Sequence, residues 1–78
     1  MAPTNVLDQV DGNYTLYLKQ GDLWYNDAVW VNSPMKALGY RKDQYNELFQ
    51  ICLKYINSEI WCYPDNGWAF CVYRNNKE

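Results

Sequence analysis

No histidine occurs among the 78 residues. Its absence removes the commonest general base, the Ser–His and Cys–His nucleophile pairs and the usual zinc ligand sets. Carboxylate chemistry would need two acids held together. The nearest pairs, Asp22 with Asp27 and Glu59 with Asp65, fall at turns or strand ends, where solvated surface carboxylates are the rule. Cys52, Cys62 and Cys71 make an odd count, which fits free thiols in a reducing compartment better than a disulfide framework. Gly12, Gly21, Gly39 and Gly67 stand singly and read as turns or caps, with no glycine-rich loop to cradle a phosphate. The expectation is a protein without catalytic residues, cofactor or metal.

The elements that position the remaining side chains follow from patterning. Residues 13–19, Asn-Tyr-Thr-Leu-Tyr-Leu-Lys, alternate and are rich in strand formers. A turn at Gln20–Asp22 returns the chain through Leu23, Trp24 and Tyr25. Centred on 20–21 or on 21–22, that turn gives the same faces, because cross-strand partners share a side. Tyr14, Leu16, Leu18, Leu23 and Tyr25 share one face; Thr15, Tyr17, Lys19 and Trp24 share the other. Asn26-Asp27 signals a turn into a third short strand, Ala28–Val31. Ser33-Pro34 is a cap followed by proline at a first helical position, giving a brief turn through Leu38 that ends at Gly39.

One strong helix is expected from Lys42 to about Asn57. Tyr45, Leu48, Phe49, Cys52, Tyr55 and Ile56 recur at spacings of three and four, and Ile51 and Leu53 widen the stripe. A second hairpin follows, with Ile60–Tyr63 and Trp68–Tyr73 flanking Pro-Asp-Asn-Gly. A type I′ turn at Asn66-Gly67 would place Tyr63 opposite Phe70, Cys62 opposite Cys71 and Trp61 opposite Val72. In that register Cys62 and Cys71 are either two small core residues or a strained, labile disulfide. Residues 1–12 read equally as a loose arm or a short helical turn capped by Thr4 or Asn5, running through Val6, Leu7 and Val10 and closed by Gly12. Residues 74–78 read as a polar tail.

The fold class expected is α+β: a small antiparallel sheet of about four to five strands, built from two hairpins, with one main helix packed on one face. Residues 1–78 read as one domain, and a chain opening on Met1 reads as a complete small gene product. It shows no signal-peptide core and no apolar stretch near membrane-spanning length, so a cytoplasmic protein with no membrane partner is expected.

Seven basic and nine acidic residues give a net charge of −2 with no run of one sign. Duplex DNA binding needs a basic stripe, and a DNA mimic needs a dense acidic array; neither is present. What stands out is aromatic content: four Trp, eight Tyr and two Phe. A sheet covered by one helix has a second face, and the face assignments put Tyr17, Trp24 and Tyr73 there, beside Lys19, with Asp22 at the rim. Large rings on an open face suit a partner surface; the other outcome is that an arm or a neighbouring strand covers them.

The function expected on these grounds is a non-catalytic module that docks on a larger protein and inhibits or regulates it. Small acidic proteins of this style include inhibitors of host defence complexes encoded by phages and mobile elements. The alternatives are a small-ligand or glycan binder that uses Trp and Tyr stacking, and a single-stranded nucleic-acid binder. Whether the protein is a monomer or a homodimer is left open by the sequence.

Overall fold

The computed structural model describes residues 7–76. Five strands form one antiparallel sheet: β1 (Tyr14–Gln20), β2 (Leu23–Asn26), β3 (Val29–Val31), β4 (Ser58–Pro64) and β5 (Phe70–Arg74), in the order β3-β2-β1-β4-β5. One α-helix, α1 (Tyr45–Lys54), is preceded by a 3-10 turn over Lys42–Gln44. It packs on one face of the sheet, so the fold is the α+β arrangement that the patterning predicts.

The centre of the sheet is the ladder between β1 and β4, which pairs Tyr14 with Pro64 through to Gln20 with Ser58. Strand alternation then sorts the residues. Leu16 and Leu18 face the same way as Cys62 and Ile60, and all four are fully buried. Leu48 and Cys52 of α1 close over them, with Leu7, Tyr25, Tyr40 and Tyr45 completing the core. Leu7 belongs to a 3-10 turn over Leu7–Gln9, and Gly12 turns the chain at φ 81°. The proposed caps Thr4 and Asn5, and Val6 with them, lie outside the described residues.

The hairpin turns show glycine chemistry at one site and its substitute at another. Between β1 and β2 the two-residue loop is Gly21-Asp22, with glycine at φ 60° in the first central position, as a II′ turn requires. Between β2 and β3 the turn is Asp27-Ala28, one residue later than the Asn26-Asp27 signal, and both residues carry positive φ. Ser33 caps the 3-10 turn over Pro34–Lys36 by accepting the Met35 amide at 3.2 Å.

The pairing of β1 with β2 covers only two residue pairs. Past it, the backbone of Leu16 pairs with Tyr40, through bonds of 2.7 and 2.8 Å. The Leu38 amide reaches the Tyr25 carbonyl at 3.1 Å. The segment before the helix is therefore threaded alongside β1.

Three expectations require correction. First, β4 and β5 do not meet in a type I′ hairpin. β5 begins at Phe70, opposite Cys62; Trp61 faces Cys71, and an irregularity at Val72 restores Tyr73 opposite Ile60. The cause is Pro64. The even residues of β4 direct their backbone groups toward β5, since their partners on β1 point the other way, as Leu16 does toward Tyr40. Proline has no N–H to donate there, so the ladder cannot extend to it. Residues 65–69 form a wider loop instead, pinned by the Asp65 amide on the Asn13 carbonyl at 3.0 Å. Cys62 and Cys71 are consequently on opposite faces, and all three thiols are free.

Second, α1 stops at Lys54 rather than near Asn57. Tyr55 is extended and Asn57 has φ 67°. The loose carbonyls of Cys52 and Tyr55 are met by Asn75 Nδ2, 3.0 Å from each, and by the fully buried Ser58 hydroxyl at 3.0 and 2.7 Å. A nearby hydroxyl and a side chain distant in sequence thus terminate the helix together. Ile56, beyond the helix end, is exposed and drops out of the stripe, and Leu53, within α1, is exposed and does not widen it. Third, the expected polar tail is partly structural: Arg74 closes β5 and Asn75 ties the helix end to β4, while Lys77 and Glu78 lie outside the described residues.

Gly39 runs so close to β1 that an added Cβ would stand 2.7 Å from Thr15 Cγ2 and 3.5 Å from the Tyr17 ring. Overpacking of this kind costs about 1–3 kcal/mol. Gly39→Ala is expected to lower the melting temperature, and Thr15→Ser, which deletes the clashing methyl, is expected to restore most of it in the double variant. Additive losses in thermal unfolding of the two variants would place the clash elsewhere.

Candidate functional site

The face of the sheet opposite α1 is built by the odd residues of β1 and β4 and their neighbours. Thr15, Tyr17 and Lys19 lie beside Tyr63, Trp61 and Glu59, with Trp24 next to Lys19 and Arg74 next to Glu59. Tyr17, Trp24 and Tyr63 meet edge to face, with centroids 6.2, 5.1 and 5.9 Å apart. Such contacts add about 0.5–1.5 kcal/mol each beyond burial. The Lys19 ammonium lies 5.4 Å from the Trp24 ring centre and 5.3 Å from that of Trp61, so it bridges two indoles by cation–π attraction.

Beside this cluster runs a charged row. Glu59 accepts the Trp61 indole N–H at 2.9 Å and pairs with the Arg74 guanidinium at 2.6 Å. Burial alone would raise the Glu59 carboxyl. The hydrogen bonds from Trp61 and Arg74, with the charges of Arg74 and Lys19, outweigh it and hold the group below the ordinary carboxylate range. Cys71 is half-buried on this face beside Trp61, and burial pushes its thiol up, as it pushes that of Cys62 up to about 11. Neither is poised as a thiolate nucleophile.

The five residues expected to bind a partner separate. Tyr17 and Lys19 are on this face and half-buried. Trp24 is on it too, but only 8% exposed, because its own neighbours cover it. Asp22 is exposed in the β1–β2 turn. Tyr73 is not there: opposite Ile60, it lies under the helix with its ring 4.9 Å from Phe49. The β1–β4 ladder makes this difference: Tyr73 keeps the partner the hairpin pattern implies, Ile60, but Ile60 is paired with Leu18 and so faces the helix.

Trp61, Tyr63, Glu59 and Arg74 are the residues that sequence reasoning left out of the site. Alternation already groups Trp61 with Tyr63; only the pairing of β4 with β1 joins them to Tyr17. Two other large side chains are almost wholly exposed, Trp68 at 91% in the β4–β5 loop and Met35 at 93% in the 3-10 turn. A cleft of about 530 Å³ is lined by Asn13, Tyr14, Thr15, Arg41, Lys42, Asp43 and Asp65. Its two cations and two carboxylates balance, so its charge selects neither an anion nor a cation.

Among the described residues no group of three or more His, Cys, Asp or Glu is placed to hold a metal, and no helix is long and apolar enough to cross a membrane. The chain matches no protein-family model, no curated protein and no solved structure.

The Glu59 network has a pH signature. A carboxyl held low in the folded state contributes stability that is complete above its unfolded value, near 4.5, and is lost as pH falls through the folded value. The Trp61 indole N–H resonance should therefore hold steady from neutral pH down past 4.5 and move only in more acid solution, together with loss of stability. A midpoint at or above 4.5 would contradict the network.

Proposed function

We propose that the protein is a non-catalytic binding module that docks on a larger protein through the face opposite α1, and that it inhibits or regulates that protein by occupying its surface. The supporting observation is the half-exposed aromatic set Tyr17, Trp61 and Tyr63, held in place by edge-to-face contacts with one another and with Trp24 and by Lys19 against the indoles. Rings already fixed by their neighbours lose little conformational entropy on binding, which favours affinity. Small size and an absence of histidine chemistry agree with action by occlusion, the manner in which small inhibitors from mobile elements act on host defence complexes. Three free thiols, two of them buried, support the reducing cytosol as its compartment.

Single-stranded nucleic acid is the second reading. Half-exposed rings on the two central strands, flanked by Lys19 and Arg74, suit base stacking. Two cations offer little neutralisation to a phosphate chain, however.

The test is capture of a partner from host lysate, followed by affinity measurement with variants. A stoichiometric protein partner should survive nuclease. Trp61→Ala and Tyr17→Ala should keep the wild-type circular dichroism and each weaken binding by more than about 2 kcal/mol. Asp22→Ala should alter the association rate alone. Unchanged affinity in both folded aromatic variants would remove this face from the interface, and loss of the partner on nuclease treatment would favour the second reading.

A further inference from the structure

We propose that the segment received by this face is acidic: carboxylates of the partner settle against Lys19 and Arg74, while adjoining apolar groups lie on Trp61 and Tyr63. This rests on the reading of the face as a docking surface and names the chemistry of what docks.

The case is charge placement. Lys19, Glu59 and Arg74 are the only charged residues in the five strands, and the ladder puts all three on the aromatic face, in one row with Trp24. Two cations and one carboxylate give the strand residues of that face a charge of +1, in a chain whose net charge is −2, with Asp22 outside the row in the β1–β2 turn. The other acids of the described residues, Asp8, Asp11, Asp22, Asp27, Asp43, Glu47 and Asp65, lie outside the strands.

The carboxylate on the face is already engaged. Glu59 takes the Trp61 indole N–H and the Arg74 Nε–H, and its side chain is 19% exposed, so it has little left to offer an incoming cation. The two cations differ from it. Arg74 uses Nε on Glu59, and its side chain is 59% exposed, which leaves the guanidinium's terminal N–H groups for a second acceptor. The Lys19 ammonium rests on ring faces, which satisfy its charge but accept no strong hydrogen bond. A basic partner would meet two like charges and one spent carboxylate. An acidic partner meets two cations with donor capacity, set among half-exposed rings.

The experiment uses the whole protein labelled with nitrogen-15 and three probes: a hexaglutamate peptide, a hexalysine peptide and an oligothymidylate. The readout is the resonances of the Trp61 indole N–H and the Arg74 Nε–H. Hexaglutamate should shift both, and raised salt should reverse the shifts. Lys19→Gln and Arg74→Lys give two further arms, the second retaining the charge and read at the Trp61 indole N–H alone. Lys19→Gln should weaken the hexaglutamate response by about tenfold, whereas Arg74→Lys should weaken it less.

A response to hexalysine equal to or greater than that to hexaglutamate overturns the acidic assignment and leaves the docking face standing. Oligothymidylate binding about tenfold tighter than hexaglutamate overturns it in favour of nucleic acid. Silence from all three probes at these resonances also overturns it. The docking reading fails separately, if a captured protein partner is indifferent to Trp61→Ala and Tyr17→Ala.

Discussion

The pairing of β1 with β4 is the constraint from which the rest of the molecule follows. Seven consecutive residues on each strand are opposed. Because side chains alternate, this one register fixes two surfaces at once. Leu16, Leu18, Ile60 and Cys62 become the floor on which α1 sits, and Tyr17, Lys19, Glu59 and Trp61 become the surface opposite. A slip by one residue would turn one strand over against the other. It would carry Lys19 or Glu59 under the helix and expose that strand's aliphatic residues, so the apolar face specifies the register of the aromatic one.

Each surface is secured by a different kind of contact. Under the helix, aliphatic burial does most of the work, joined by rings at the margins: Tyr25, Trp30 and Tyr55 on one side, Phe49 and Tyr73 on the other. The helix end is then fastened by polar groups. Ser58 and Asn75 take the carbonyls that a longer helix would have satisfied internally, and their own backbones join β4 to the segment after β5. On the opposite face no helix supplies burial, and the side chains cover one another. Trp24 is buried by neighbours that are themselves only half-buried, and Lys19 lies across two indoles. Such a face is rigid without being sealed, which is what a recognition surface needs.

Much of this arrangement is legible in the sequence because it depends on alternation. Leu16, Leu18 and Leu48 announce the core, and Tyr17, Lys19 and Trp24 announce the second face, whichever turn register is chosen. What the sequence does not reveal depends on single backbone groups and on partners far along the chain. Asn66-Gly67 signals a tight hairpin, but the missing N–H of Pro64 prevents the ladder from reaching it, and Tyr73 lies beneath the helix because its partner Ile60 shares the Leu18 face of the β1–β4 ladder. The stripe of α1 continues to Ile56 in periodicity, yet Ser58 and Asn75 end the helix two residues sooner. Trp61 and Tyr63 are visible as a pair; that they belong with Tyr17 requires knowing that β4 lies beside β1. That is a choice among non-local strand orders, about which local pattern is silent.

The register of β1 against β4 can be read directly from cross-strand proton contacts. Since Leu16 directs its backbone groups to Tyr40, the Leu16–Cys62 and Leu18–Ile60 pairs are of the non-hydrogen-bonded kind, in which opposed Cα atoms come closest. Nuclear Overhauser spectra should therefore show strong Hα–Hα contacts between Leu16 and Cys62 and between Leu18 and Ile60. Contacts from Leu16 to Trp61 or Tyr63 in their place would mean a shifted ladder, with Tyr17, Lys19 and Trp61 no longer sharing a surface.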